Sequence, residues 1–587
     1  VYLKTSLIYI LFVKFYQKRS VLCAIFGIIG KYKLSEVKNS LDLMLHRGKE
    51  YQKILEFKEG VFGFNRLAIE NIDKNLQPLK MGDKVFVFNG EIYNYKNLIK
   101  KYYLNVNSEI EVIAKLWEIR GVDFVKELEG MFAIAVFDKK LYLFRDEFGK
   151  KPLYFTKNGI FASEIKAILP FVSKELDFEA LSEYLAFNSS IAPKTIYKGI
   201  YKLPAGCYYD GEIKRWFDFE RVENKSITKE NVSVEVERLL IGSIEKRFMG
   251  DVEIGSLLSG GVDSSLIVAL ASKYRKIDTF SVGYEGFENY DERKYAKKVA
   301  DYLGIKNFDV TLRKKDFFDN FENVLFHMDE PIADSSFFAA FHLAKSIPLK
   351  VVFSGEGSDE LFLGYRRYEE FLGFFNAFLP NKKWLKKYLE RYPEDIKEWE
   401  VFRRFFADEV VFRGINETFF QRQINKALRK NAFEVDYERF YKNWGSFYFT
   451  YFDMKVWLGE VLLMKLDKMF MSNTIEARSP FLDRDLVNFV FTLPEDVRGS
   501  KKWIVKEIAQ KYLPKEIVYR RKKGFAVPFY EWLKEEKELK RIIDINRKSK
   551  IFNEEYLKDI IKTGHKRYKQ HIWSLYLFSR WYEKEFL

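Results

Sequence analysis

Cysteine is scarce, with only Cys23 and Cys207 in 587 residues. That excludes a disulfide framework and any four-cysteine zinc site within the chain, and it suggests a reducing compartment. Histidine is scarce too. The five present form no HExxH pattern, so a histidine-rich metal site is not expected. The apolar run Leu7 to Val13, between Lys4 and Lys14, is too short to span a bilayer, and no A-x-A-like cleavage site accompanies it. No internal repeat and no low-complexity tract is present. There is no Walker A loop either: in Gly27 to Lys31 the glycines lie too close together, and Tyr32 stands where Ser or Thr is needed.

Apolar residues are abundant, at 47% of the chain, and the length calls for more than one domain. The net charge is +15. Nucleic-acid binding is one reading. The other is a Lys-rich solvated surface, favoured because the positive runs (Lys382-Lys383, Arg520 to Lys523) are short and interrupted by acids.

Residues 23–215 read as short strands: Cys23 to Gly30, Lys84 to Phe88, Met131 to Phe137 and Leu141 to Phe144. Asn89-Gly90 and Phe148-Gly149 read as turns between them, and helical patterns are confined to about 35–46 and 109–119. This predicts a layered α+β unit with sheets at its centre. After Asp210-Gly211 the pattern changes. A helix is expected from Lys229, strands at Val252 to Leu258, Thr279 to Val282 and Leu349 to Phe353, and a helix over Ser264 to Tyr274. Such alternation predicts a doubly wound parallel sheet. Beyond about 365 the chain reads as helical and aromatic.

The strongest chemical signal is Ser259-Gly260-Gly261-Val262-Asp263-Ser264-Ser265, between a strand and a helix. Two glycines allow close backbone approach, and a helix start presents free N–H groups to an anion. Asp263 would repel a bare phosphate, which implies a magnesium ion between them. A second segment, Ser354-Gly355-Glu356-Gly357-Ser358-Asp359-Glu360, also follows a strand directly and carries three acids.

The first segment resembles the pyrophosphate loop of ATP pyrophosphatases. Together the two resemble the synthetase half of the glutamine-hydrolysing asparagine synthetase family. Leu466-Asp467-Lys468-Met469, Ile475 to Asp483 and Arg520 to Phe525 extend the match. The resemblance implies that Asp263 and Asp359 hold Mg2+ on ATP. It implies an ATP site formed by Ser259, Gly260, Gly261, Asp263, Ser264 and Ser265, with Ser354, Gly355, Val282 and Leu258 around the adenosine. Glu356 would assist formation and amination of a β-aspartyl-AMP, and Lys522 would meet its acyl-phosphate.

Cys23 to Gly30 resembles the mature start of glutamine amidotransferases with an N-terminal cysteine nucleophile. Supporting segments follow in the family's order: His46-Arg47-Gly48, Asn65-Arg66-Leu67, Gln77-Pro78-Leu79, Phe88 to Asn94, Arg145 to Gly149 and Ser163-Glu164. A thiolate is needed because glutamine's amide is a poor electrophile, and the cysteine's own α-amino group can be the base. The resemblance implies that Cys23 attacks glutamine, that Asn89 and Gly90 form the oxyanion hole, that Arg47 binds the substrate carboxylate, and that Glu91 and Glu109 bind its ammonium. Two departures stand out: Glu109 where the family usually has Asp, and Ala24 where Gly is commonest. Cys207 has no such context and is expected to be structural.

The implied architecture is an α+β N-terminal glutaminase at 23–215, of four-layer αββα, N-terminal-nucleophile type. An α/β doubly wound parallel-sheet synthetase domain with a helical C-terminal part follows at 225–587. Residues 1–22 form an extension expected to be absent from the mature protein, because a peptide bond on the Cys23 nitrogen would remove the base. Leu22, read as an initiator methionine at a non-standard start codon, is the expected start; proteolysis, or use of free ammonia only, is the fallback. A buried apolar tunnel would carry ammonia between the sites. Glutamine, aspartate and ATP are the expected partners, in the cytoplasm, with no nucleic acid and no membrane, and a homodimer is a candidate assembly. Three enzyme rivals stay open: amidation of another carboxylate such as a sugar acid or peptide, β-lactam formation (against which Cys23 argues), and tRNA modification. A non-enzymatic relic would have lost Asp263, Glu356 and Asp359.

Overall fold

The computed structural model describes residues 23–66, 77–250, 252–378, 396–521, 527–534 and 536–587. Lys522 and the 1–22 extension lie outside them.

The N-terminal unit stacks two antiparallel six-stranded sheets. Its strands are β1 (Ala24–Ile29), β2 (Tyr51–Phe57), β3 (Gly60–Arg66), β4 (Leu79–Met81), β5 (Lys84–Ile92), β6 (Gly130–Asp138), β7 (Lys140–Arg145), β8 (Tyr154–Phe155), β9 (Ile160–Ala162), β10 (Tyr201–Lys202), β11 (Cys207–Tyr209) and β12 (Ile213–Arg215). One sheet runs β10-β8-β9-β1-β3-β2 and the other β12-β11-β7-β6-β5-β4. Alternating side chains serve two cores, as a two-residue period requires. In β1, Ile25 joins Phe62, Val85, Val87 and Ala133 between the sheets. Ala24, Phe26 and Ile28 face outward with Val37 and Leu41 of α1 (Leu34–Asp42). Phe86 and Phe88 of β5 pack instead with Ile110, Ile113 and Trp117 of α2 (Glu109–Arg120). The order is therefore helix, sheet, sheet, helix. A one-residue slip of β1 or β5 would exchange its two cores, so register here is strongly specified.

Asn89-Gly90 is not a turn. Both residues lie inside β5, paired with Ala133 and Phe132 of β6. Gly90 has φ +140°, and a Cβ there would lie 1.9 Å from the Met131 carbonyl oxygen. Glycine is present for close strand approach, not for chain reversal.

The second unit holds a five-stranded, all-parallel sheet. Its strands are β13 (Ile254–Leu257), β14 (Thr279–Tyr284), β15 (Asn307–Leu312), β16 (Val351–Phe353) and β17 (Glu476–Arg478), in the order β15-β14-β13-β16-β17. The chain winds outward from β13 one way through β14, then returns to the other side through β16. The switch point lies between β13 and β16, and their carboxyl ends flank the crevice where such sheets bind ligands. Five further helices matter here: α3 (Phe178–Phe187), α4 (Lys229–Arg247), α5 (Val262–Ala271), α6 (Leu463–Met471) and α7 (Trp503–Ala509). A long C-terminal helix, α8 (His565–Phe586), closes the unit.

The units share a buried boundary. The α3 segment lies before residue 215 yet packs on the second unit: the Tyr184 hydroxyl donates to the Ser574 carbonyl at 2.7 Å, and the Thr418 N–H to the Ala186 carbonyl at 2.8 Å. Lys202 of β10, fully buried, pairs with Glu330 at 3.2 Å and Glu460 at 2.7 Å. A buried ammonium persists only where carboxylates hold it, so these contacts fix the units against each other.

Candidate active sites

At the switch point, the segment from Ser259 to Ser265 links β13 to α5. Its serines tie the loop to itself: Ser259 Oγ and Ser264 Oγ lie 3.1 Å apart, and the Gly261 N–H donates to Ser259 Oγ at 3.2 Å. Gly260 has φ +71°, and a Cβ there would meet the Tyr295 and Ala296 backbone at 2.6 Å. Only glycine fits this bend. Ser265 Oγ, in the first turn of α5, is buried with no hydrogen-bond partner among the described residues. The second segment, after β16, comes against the first: a Cβ on Gly355 would stand 3.0 Å from the Ser264 nitrogen. Leu258 and Val282 are buried beside this crevice, at the end of β13 and in β14.

The two expected acids converge. Asp263 and Asp359 each lie 2.5 Å from Lys502 Nζ, and Asp263 also accepts from Ser358 Oγ at 2.6 Å. Lys502 is only 4% exposed, and burial would lower its pKa; Asp263 and Asp359 outweigh burial and raise it. It is therefore an ammonium held between two carboxylates. The sequence reading missed Lys502. Its one local sign is backbone geometry: Lys501 and Lys502 both adopt positive φ, at +61° and +57°, immediately before α7. Non-glycine residues take that conformation only when the surroundings impose it. Glu356, the expected assistant in acyl transfer, pairs with Lys465 of α6 at 3.2 Å. Glu360 is buried and accepts from the Tyr365 hydroxyl at 2.6 Å. Burial, and then the Asp359 charge, push its pKa up to about 8.

The second site surrounds Cys23, which precedes β1. Asn89 is buried, and its Nδ2 lacks a hydrogen-bond partner among the described residues. A buried amide donor left open is costly, and a developing oxyanion is the partner that chemistry at Cys23 would bring. Glu109, the first residue of α2, accepts from the Ile92 N–H at 2.6 Å. Its longer side chain thereby ties down the end of β5, two residues past Gly90.

Arg47 is placed otherwise than expected. It is fully buried, and its Nη1 donates to Glu164 at 3.0 Å and to Asp467 of α6 at 2.7 Å. Its Nε lies 3.5 Å from the Cys23 carbonyl oxygen. Two carboxylates already match its charge, so a substrate carboxylate gains little there. Arg66 is the better candidate. Ala24 pairs with Asn65, which sets Arg66, the last residue of β3, level with Cys23, and it is only partly buried. Cys207 packs between the sheets, where burial raises its thiol pKa, in keeping with a structural role.

A small cavity is lined by Met131, Lys150 and Lys151 of the first unit and by Leu463, Leu466, Asp467, Ala477 and Ser479 of the second. Its lining is mixed, with Lys150, Lys151, Asp467 and Ser479 among the apolar side chains. Lys150 donates to the Leu482 carbonyl at 2.7 Å. Burial, reinforced by Arg247, lowers its pKa to about 7.

The two halves each match a known domain. A family model described as asparagine synthase matches residues 235–583, and one described as a glutamine amidotransferase domain matches 22–217. This chain belongs to the asparagine synthase family. Among curated relatives, the glutamine-hydrolyzing asparagine synthetase 1 of Bacillus subtilis (strain 168) is 30% identical across 96% of each chain. The glutamine-hydrolyzing asparagine synthetase B of Escherichia coli (strain K12) is 28% identical across 88% of this chain and 84% of its own. A putative glutamine-hydrolyzing asparagine synthetase 2 of Methanocaldococcus jannaschii is 33% identical over 62% of this chain and 81% of its own. As a member of the asparagine synthase family, the chain is a carbon–nitrogen ligase with glutamine as amide donor, and ATP use comes with that membership. No helix among the described residues is long and apolar enough to cross a membrane.

Proposed function

We propose that the chain is a glutamine-dependent asparagine synthetase that forms a β-aspartyl-AMP and aminates it with ammonia released from glutamine. The carrying observation is the meeting of Asp263 and Asp359 across one buried cation at the sheet's switch point. Two carboxylates from two loops at one point suit a nucleotide polyphosphate with its divalent ion.

Magnesium fits this donor set. No cluster of three or more metal-ligating side chains forms among the described residues. Mg2+ typically takes one or two carboxylates and completes its shell with phosphate oxygens and water. Asp263 and Asp359 would hold it, and when bound it would offset charge on the pyrophosphate leaving group. Lys502 holds the same two carboxylates, so the ion and the ammonium compete for them. The N–H groups at the start of α5, with Ser259, Gly260, Gly261, Ser264 and Ser265, cradle the phosphates. Leu258, Val282, Ser354 and Gly355 line the adenosine. Glu356, held by Lys465, faces the acyl transfer, and Lys522 remains the candidate for the acyl-phosphate.

In the other half, the Cys23 thiolate attacks the glutamine amide carbon. Asn89 Nδ2 and the Gly90 N–H receive the oxyanion, and a thioester forms as ammonia leaves. The Cys23 α-amino group takes the thiol proton and passes it to the leaving nitrogen, which requires a mature chain beginning at Cys23. Arg66 meets the substrate carboxylate; Glu91 and Glu109 meet its ammonium.

Purified protein given ATP, Mg2+, aspartate and ammonia is expected to produce AMP, pyrophosphate and asparagine in equal amounts. ADP formation, or AMP formation faster with a sugar acid or peptide acid than with aspartate, would overturn the assignment of acceptor or chemistry. Cys23→Ala is expected to remove glutamine-driven synthesis and leave ammonia-driven synthesis intact.

A further inference from the structure

The strand β17 is short and charged: Glu476, Ala477, Arg478. It is nonetheless buried at both charged positions, and each charge reaches toward the glutamine half. Arg478 is fully buried. Its Nε donates to Glu476 at 2.9 Å, and its Nη1 donates to the carbonyls of Arg247 at 2.7 Å and Met249 at 2.6 Å. Its Nη2 has no hydrogen bond among the described residues but stands 3.7 Å from Glu91 Oε1. Glu91 is the residue after Gly90. Three hydrogen bonds thus anchor the guanidinium through Nε and Nη1, and its Nη2 edge faces Glu91 of the proposed glutamine pocket.

The backbone of the same residue serves the other site. Arg478 pairs with Phe353 in the parallel β16–β17 ladder, and its carbonyl accepts from the Ser354 N–H at 2.9 Å. Ser354 opens the nucleotide loop. A second route runs parallel to this one. Glu476 pairs with Lys151 at 3.2 Å, Lys151 lies 3.6 Å from Asp467, and Asp467 accepts from Arg47 beside Cys23. Both routes end on β17.

We propose that Arg478 is a positioning residue shared by the two sites: its side chain sets Glu91 in the glutamine pocket while its carbonyl sets Ser354 in the nucleotide loop. The inference rests on the reading of Glu91 as a glutamine ligand and of Ser354 as part of the ATP site. Arg suits this task and Lys does not. Three bonds through Nε and Nη1 fix the guanidinium and leave the two N–H groups of Nη2 facing Glu91, whereas a single ammonium, with three donors, cannot satisfy Glu476 and two carbonyls and still face Glu91.

The test uses the full chain and two reactions that share no substrate: glutamine hydrolysis without ATP, and ammonia-driven synthesis without glutamine. Arg478→Lys is expected to raise the KM for glutamine in the first and the KM for ATP in the second, each about tenfold, with both kcat values within about threefold. A role in folding alone would lower the active fraction, and so both kcat values, and leave both KM values in place. Glu91→Gln is the cross-check that avoids the anchored strand. It lies in the glutaminase half, yet it is expected to raise the ATP KM of the ammonia-driven reaction by about threefold or more. An unchanged ATP KM in Glu91→Gln, or unchanged KM values in Arg478→Lys, overturns the inference while wild-type activity stands. Absence of both reactions in the wild-type protein would overturn the functional reading itself.

Discussion

Replacing Lys502 with methionine tests the charge balance at the nucleotide site. In the native protein one ammonium, 4% exposed, separates Asp263 and Asp359, which are 17% and 16% exposed. Removing one partner from a buried ion group typically costs ~3–5 kcal/mol, because the charges left behind stay desolvated and repel each other. The two acids keep some contact with water, so the lower end, ~3 kcal/mol, applies here. The loss should be recoverable by removing a charge as well as by adding one. Asp359→Asn in the Lys502→Met background leaves a single carboxylate, bonded to Ser358, and should return at least ~1.5 kcal/mol. Mg2+ at about ten times its dissociation constant should return ~1.4 kcal/mol to the single variant. In the wild type it must compete with Lys502 and should return less. Urea denaturation of the three proteins, with and without Mg2+, reads all of this. The reasoning fails if Lys502→Met is as stable as wild type, if the double variant is less stable than the single one, or if Mg2+ stabilises wild type and variant equally.

Asn89→Ala is expected to lower the kcat of glutamine hydrolysis about a hundred- to a thousandfold, the usual cost of one oxyanion donor, with ammonia-driven synthesis unchanged in a pyrophosphate-release assay. Glu360 binds its proton more tightly folded than unfolded, since its pKa is raised from 4.5 to about 8. The native state therefore holds more protons than the unfolded state between those values, and stability falls as pH rises through that window. Glu360→Gln should flatten the fall in a pH series of urea midpoints; an unchanged slope would place the titration elsewhere. Gly260→Ala is expected to raise the ATP KM, because its φ of +71° disfavours a side chain and the new Cβ would sit 2.6 Å from the Tyr295 and Ala296 backbone; an ATP KM equal to wild type would refute that reading of the loop.

Legibility in the sequence followed the strength of local signals. β5 and β6 alternate apolar residues between two cores, and such a pattern has one low-energy reading. The helix expected from Lys229 begins there, and the loop from Ser259 opens α5 as expected. Misreadings came where a partner overrides local preference. Asn89-Gly90 has turn composition but sits in β5, because β6 runs alongside and glycine permits the approach. β15 went unread because it is a half-exposed strand at the sheet edge. β17 holds one apolar residue among three and is a strand only because β16 lies beside it and the other half supplies counter-charges. Arg47 carries a substrate-binding look in sequence, but Asp467, 420 positions away, holds it.

The roles given to Asp263, Asp359 and Cys23 came from the family resemblance; hydrophobic periodicity and glycine spacing by themselves determined the two layered units and the strand–loop–helix setting of the Ser259 segment. These depend on residues a few positions apart, where hydrophobic alternation and glycine spacing act directly on the backbone. Tertiary structure alone decided what those acids face, which arginine lies level with Cys23, and how β17 ties the two sites together. The first and last of these are pairings of desolvated charges distant in sequence, and the second is a strand register set by Ala24 against Asn65. No local rule selects the partner of a buried ion; only the folded arrangement, which must satisfy every desolvated charge at once, does so.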